Sequence, residues 1–396
     1  MNSPVMNTST IAKMNKLIPL LLSALILHSC GPKSNQHQTQ AMDQNHLFLL
    51  GTYTEQPEDG LNLLAFHPEA GEIEVLHVAS DIDNPSFVTA NAAQNLVFST
   101  EETNSEQGGK VTSFKLDKAT NTLEKINSVF TQGGSPCHIS LDPTERFLVV
   151  SNYSGGNITV IPVDQQGKLS EDIQVIQHEG SSANPSRQKA PHVHSAVFHP
   201  EENRVFVADL GTDKVYLYDL TDDATAPLKP ATPDAFSVEA GAGPRHILFN
   251  EAGDRFYLIH ELTAEVGVYA YEQGQISHVE THALTPEGFT GEVGAAEVRI
   301  SPDGKYLYAS NRGDANTLTV FAIDATTGRL REVQHVSSEG IAPRNFAITA
   351  DGKFLLCGNQ NSDEIVVFDR DQENGTISRS SITVAVSKPV YFYSLD

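Results

Sequence analysis

The sequence contains no tryptophan, three cysteines, and 26 Lys and Arg residues against 50 Asp and Glu, a formal charge of −24. No run of Lys or Arg occurs, so there is no clustered basic surface to hold phosphates, and nucleic acid is excluded as a partner. Cys30, Cys137 and Cys357 stand far apart without a CxxC or a Cys/His grouping. No disulfide framework and no structural zinc is expected from them. Long helical periodicity is absent, which argues against an α/β solenoid or barrel. There is no Gly-x-Ser-x-Gly elbow and no glycine-rich phosphate loop, which disfavours that class of serine hydrolase and a nucleotide-binding enzyme.

The apolar run Leu17 to Leu27 follows Lys13 and Lys16 and leads into Leu27-His28-Ser29-Cys30-Gly31. It is too short for a permanent bilayer span, which takes about 20 residues. It reads as an export signal and resembles that of a bacterial lipoprotein. Residues 1–29 would then be removed and Cys30 lipidated, anchoring the chain to the cell envelope facing the periplasm. The polar, Gln-rich residues 30–45 read as a flexible tether, which leaves 46–396 as the folded domain.

A chain of 396 residues exceeds what one compact core usually holds, so repeats are the first thing to seek. Seven apolar runs begin at Phe48, Leu96, Phe147, Val205, Phe256, Tyr306 and Phe354, spaced 48, 51, 58, 51, 50 and 48 residues apart. Hairpin signals such as Ser301-Pro-Asp-Gly-Lys305 and Thr349-Ala-Asp-Gly-Lys353 precede them, and alternating strands such as Thr317–Ile323 follow. Four antiparallel strands per cassette make one blade, so an all-β, seven-bladed β-propeller is expected. The first cassette begins at its second strand. The last ends in Lys388-Pro389-Val-Tyr-Phe-Tyr-Ser-Leu395, which reads as an opening strand without a blade. That strand should complete the N-terminal blade and close the ring. A closed propeller can stand alone, and a monomer is expected.

Starts of first strands and ends of second strands share one face of such a disc. In register there lie Phe87, Cys137-His138, His194, Arg245-His246, Glu297, Arg344-Asn345 and Tyr391, joined by Tyr53, Glu101-Glu102, Asn152-Tyr153, Asp209, Glu261, Asn311-Arg312 and Asn359-Gln360. Ionisable groups converging on one axis make a candidate site. Histidines there can act as bases or as donors, and the arginines can hold a carboxylate or phosphate. His192 and His194 share a strand face, yet no Cys or carboxylate stands at ligand spacing, so no metal is expected. Nothing marks Cys137 as a thiolate.

Gly241-Ala-Gly-Pro-Arg-His246 with His260-Glu-Leu262, Gly294 to Gly313, and Pro343-Arg-Asn-Phe346 with Asn359-Gln360 resemble the seven-bladed propeller lactonase family. That family includes propeller-type 6-phosphogluconolactonases and carboxymuconate-lactonising enzymes. WD-repeat proteins share the fold class, but a chain without tryptophan lacks their signature. The resemblance implies cofactor-free, metal-independent hydrolysis of a small-molecule sugar lactone, 6-phosphogluconolactone in the best-known case. By motif it carries over His194, Arg245, His246, Glu261 and Glu297 as catalytic positions, with Arg312, Arg344 and Asn152 on the substrate. His138, Asn345 and Gln360 line the same mouth as further substrate contacts. In this reading Glu297 or His194 deprotonates water, His246 and Arg245 meet the oxyanion, and Arg312 with Arg344 holds the anionic end. Two other readings share the pocket: a non-enzymatic propeller that binds a periplasmic sugar acid or protein, and a cyclising enzyme for muconate-like acids.

Overall fold

The computed structural model describes residues 45–396, so the segment expected to be an export signal, Cys30 and all but the last residue of the expected tether lie outside the described residues. The domain contains 28 strands in seven four-stranded antiparallel sheets. The blades follow the chain in order, and their innermost strands are Pro389–Ser394, Val88–Ala90, Pro136–Leu141, Val193–Phe198, Pro244–Phe249, Val293–Ile300 and Pro343–Ile348. Each of these touches the next around the axis, and the seventh touches the first.

Closure is as the sequence implies. Strand Pro389–Ser394 pairs antiparallel with His46–Thr52, placing Leu49 opposite Tyr393 and Leu50 opposite Phe392. The last residue fastens the seam: Asp396 accepts from the backbone N–H of Leu47 at 3.0 Å, and its other oxygen lies 2.6 Å from His46 Nδ1. Behind the seam Phe48, Leu64, Phe66, Leu356, Ile365, Val367 and Phe392 form one buried cluster joining the first and seventh blades. Alternate side chains of each strand fill such inter-blade layers, because a sheet with two apolar faces must cover both.

The hairpins between first and second strands use the left-handed residues their turns require. Gly253, Gly304 and Gly352 sit at φ of 72°, 70° and 71°. At the other end of the inner strands, where the blades open onto the mouth, the pairing slips. Bulges lie between Pro136 and His138, Val193 and Ser195, Pro244 and Ile247, Ala295 and Val298, and Pro343 and Asn345. A bulge sets two residues against one and re-aims a side chain. It therefore lets adjacent residues, such as Arg245 and His246, both serve the mouth where a regular strand would turn one away.

Candidate active site

The floor of the mouth is aromatic. Phe87 stacks on Tyr391 with ring centroids 3.7 Å apart and lies 4.3 Å from His138. His246 meets His138 at 5.9 Å and His194 at 5.3 Å, both edge to face. All three imidazoles are buried. Burial disfavours the imidazolium, and for His194 and His246 the charge of Arg245 adds to it, so both are held well below the ordinary histidine range. His138 is brought down to about 3 by burial.

Glu261, from the end of the second strand of the fifth blade, is the electrostatic centre. Its Oε2 receives Arg245 Nε at 3.0 Å and Arg312 Nη2 at 3.1 Å, with His194 Nε2 at 3.8 Å, and its Oε1 receives Arg187 Nη2 at 2.7 Å. Burial would raise this carboxyl, but Arg312, Arg245, His194 and Arg187 together hold it well below the usual carboxylate range. Arg245 also donates from Nη1 to the Ala296 carbonyl, and that nitrogen lies 3.1 Å from His246 Nε2. Burial and the neighbouring Arg312 bring Arg245 to about 10, so it is charged at neutral pH.

Glu297 stands on the inner strand of the sixth blade with both oxygens engaged. Asn345 Nδ2 donates to Oε2, while Oε1 accepts from the Val298 N–H at 3.0 Å and lies 3.4 Å from His246 Nδ1. Asn345 in turn accepts from the Phe392 N–H at 2.9 Å, so the ring-closing strand braces Glu297 through it. Arg344 differs from the other arginines. Its guanidinium lies over the Tyr53 ring at 5.3 Å, and no carboxylate of a described residue comes within ion-pair distance. Tyr53 itself donates to Glu102 at 2.9 Å.

The structure brings together His138, His194, Arg245, His246, Glu261, Glu297, Arg312 and Asn345, with Arg344 at the rim. Asn152 is placed elsewhere. Its Nδ2 donates to Asn157 at 2.7 Å and Thr159 at 3.0 Å within the third blade, and the side chain is wholly buried there. Gln360 is half-buried at a strand end, held by its backbone N–H on Ala342. Cys137 reaches 3.8 Å from His194 Nδ1, but burial pushes the thiol up and keeps it neutral.

Two participants, Arg187 and Arg299, go beyond the positions singled out by register. Arg187 arrives from the segment between the third and fourth blades, and the 58-residue spacing there was its only sign. Tyr153 receives Arg187 Nη2 on its hydroxyl at 3.0 Å and stacks on His192 at 4.6 Å. Arg299 lies two residues beyond Glu297 on the same strand face, with its guanidinium 5.6 Å from the Tyr391 ring and 3.8 Å from Glu297. The two-residue strand period could have found it.

A closed seven-bladed ring whose axial mouth gathers arginines, histidines and buried carboxylates defines a β-propeller with an ionisable axial site. The chain belongs to the family described as Lactonase, 7-bladed beta-propeller, whose model matches residues 47–393. It is 33% identical over 332 residues to the 6-phosphogluconolactonase of Formosa agariphila, covering 83% of this chain and 94% of that one. It is 32% identical over 343 residues to the 6-phosphogluconolactonase of Bacillus subtilis, covering 86% and 96%. Among solved structures, the periplasmic gluconolactonase of Pseudomonas aeruginosa superposes with a TM-score of 0.85 at 37% identity, over 89% of this chain and 99% of that one. The chain is thus a lactonase-type hydrolase.

Proposed function

We propose that the mouth hydrolyses a sugar 1,5-lactone, with 6-phosphogluconolactone as the first candidate. The observation that carries this is Arg344, a mouth-facing cation without an ion-pair partner among the described residues, whose charge is felt by the His194 and His246 imidazoles. An acidic protein that leaves such a cation unpaired has a place for an anionic group, and a guanidinium suits phosphate.

His194 takes the proton of the attacking water. Glu261 is too strongly stabilised as a carboxylate to do so, and Glu297 has both oxygens engaged, which favours His194 over the carboxylates. As the water oxygen bonds to the lactone carbonyl carbon, Arg245 and Arg312, fixed by Glu261, stabilise the oxyanion. Collapse breaks the bond from that carbon to the ring oxygen. The imidazolium returns its proton to the ring oxygen, giving the open hydroxy acid.

A second reading, an unphosphorylated aldonolactone, is favoured by the export signal of residues 1–29 and by the likeness to a periplasmic gluconolactonase. In that reading Cys30 anchors the enzyme in the envelope and the site works in the periplasm. Comparing the two lactones on wild type and Arg344→Ala decides between them. The first reading expects the phosphorylated lactone to be favoured, and that preference to vanish in the variant. Equal rates on both lactones, unchanged by the substitution, support the second.

A further inference from the structure

The segment 178–192 lengthens the third cassette and is built as a fixed arm. Its start is anchored by His178, whose Nδ1 lies 2.9 Å from Asp209 Oδ2 and whose Nε2 lies 3.0 Å from the Tyr218 hydroxyl, all three side chains being buried. Gln188 is wholly buried and donates to the Leu210 carbonyl at 2.8 Å, while its own Oε1 accepts from the Asn184 N–H at 2.8 Å. Asn184 Oδ1 receives the backbone N–H groups of Ser186 and Arg187, both at 3.1 Å, forming the turn that aims Arg187. At the far end His192 N–H bonds to Asp209 Oδ1 at 2.8 Å. Ordering fifteen residues costs conformational entropy, and the side chain this arm delivers to the site is Arg187.

Only one guanidinium nitrogen of Arg187 is engaged. Nη2 bridges the Tyr153 hydroxyl and Glu261 Oε1, whereas Nε and Nη1 make no hydrogen bond to a described residue. The side chain is 42% exposed, against 2% for Arg245 and 18% for Arg312 on the same carboxylate. Arg187 therefore offers unused, outward-facing donors beside the His194 and Arg245 cluster. Arg344 stands across the ring, on the seventh blade over a tyrosine of the first. Two cations on opposite sides of one mouth suit a substrate with two polar ends.

We propose that Arg187 is a substrate-binding residue that recognises the carboxyl end of the sugar acid, the lactone carbonyl and the carboxylate it becomes, while Arg344 holds the other end. This rests on the lactonase reading above.

The test separates the two ends. Gluconate carries the carboxylate without a phosphate, and glucitol 6-phosphate carries the phosphate without a carboxylate. Calorimetric titration of wild type, Arg187→Ala and Arg344→Ala with each is the measurement. Arg187→Ala should weaken gluconate about tenfold or more and leave glucitol 6-phosphate within about twofold, on the scale of one charge-assisted pair. In turnover it should raise KM for the lactone more than it lowers kcat. Arg187→Lys, which keeps the charge but not the fork, should fall between. Equal weakening of both ligands, or a loss confined to kcat with gluconate binding intact, would overturn the assignment and leave Arg187 as a brace for Glu261. Wild-type protein that binds neither ligand and opens no lactone would instead overturn the lactonase reading, and the assignment with it.

Discussion

Arg245 Nε donates to Glu261 Oε2 across 3.0 Å, between side chains that are 2% and 7% exposed. A pair this buried is stabilising only while both charges are present, since either alone is left in a medium that solvates it poorly. Glu261→Gln would strand Arg245, Arg312 and Arg187 together. It should lower stability by about 3 kcal/mol or more, read as a drop in urea midpoint at constant m-value.

The same carboxylate gives the stability a pH dependence of fixed sign. Its folded-state pKa lies below the ordinary 4.5, so its contribution is complete above that value and is lost as pH falls below it, when the unfolded chain takes up the proton first. Urea midpoints measured from pH 6 to 3 should fall less steeply for Glu261→Gln than for wild type over the range below about 4.5.

Activity should persist to lower pH than an ordinary histidine would allow. His194 is lowered from 6.5 by burial and by Arg245, and a base works only while unprotonated. The acid limb of kcat/KM, corrected for spontaneous opening, should lie below pH 6.5. A limb at or above that value would remove His194 from the base role.

Asn345 should act through Glu297. Its amide donates to the Glu297 carboxylate and accepts from Phe392, so Asn345→Ala leaves Glu297 Oε2 with only the Arg299 guanidinium at 3.8 Å and the Phe392 N–H without this acceptor. Turnover should fall about tenfold, with KM nearly constant and a lowered melting temperature.

These relationships mark where the sequence is informative. The blades were legible because hairpin residues and apolar runs recur with the chain, and Pro389–Ser394 could be matched to other opening strands by pattern. The mouth was legible to the extent that register puts residues on one face. Register could not show that Asn152 turns into its own blade, or that Asn345 grips a carboxylate on the neighbouring blade. Bulges shift side chains by one position and leave little trace in residue type. Arg187 was hidden for another reason: it stands in an insertion outside the repeat, where periodicity has nothing to say.

The neutral thiol of Cys137 gives a control within the site. It lies against His194, so Cys137→Ala tests whether a sulfur nucleophile takes part. The variant should keep turnover within about threefold, and iodoacetamide should leave the native enzyme active.

The most direct test is lactone opening by the chain lacking residues 1–30, wild type against His194→Asn, on 6-phosphogluconolactone and gluconolactone with spontaneous hydrolysis subtracted. Wild type should open at least one of them well above background, and the variant should lose about 100-fold or more in kcat while still binding gluconate. A His194→Asn enzyme that turns over as fast as wild type would contradict the account of water activation at this site.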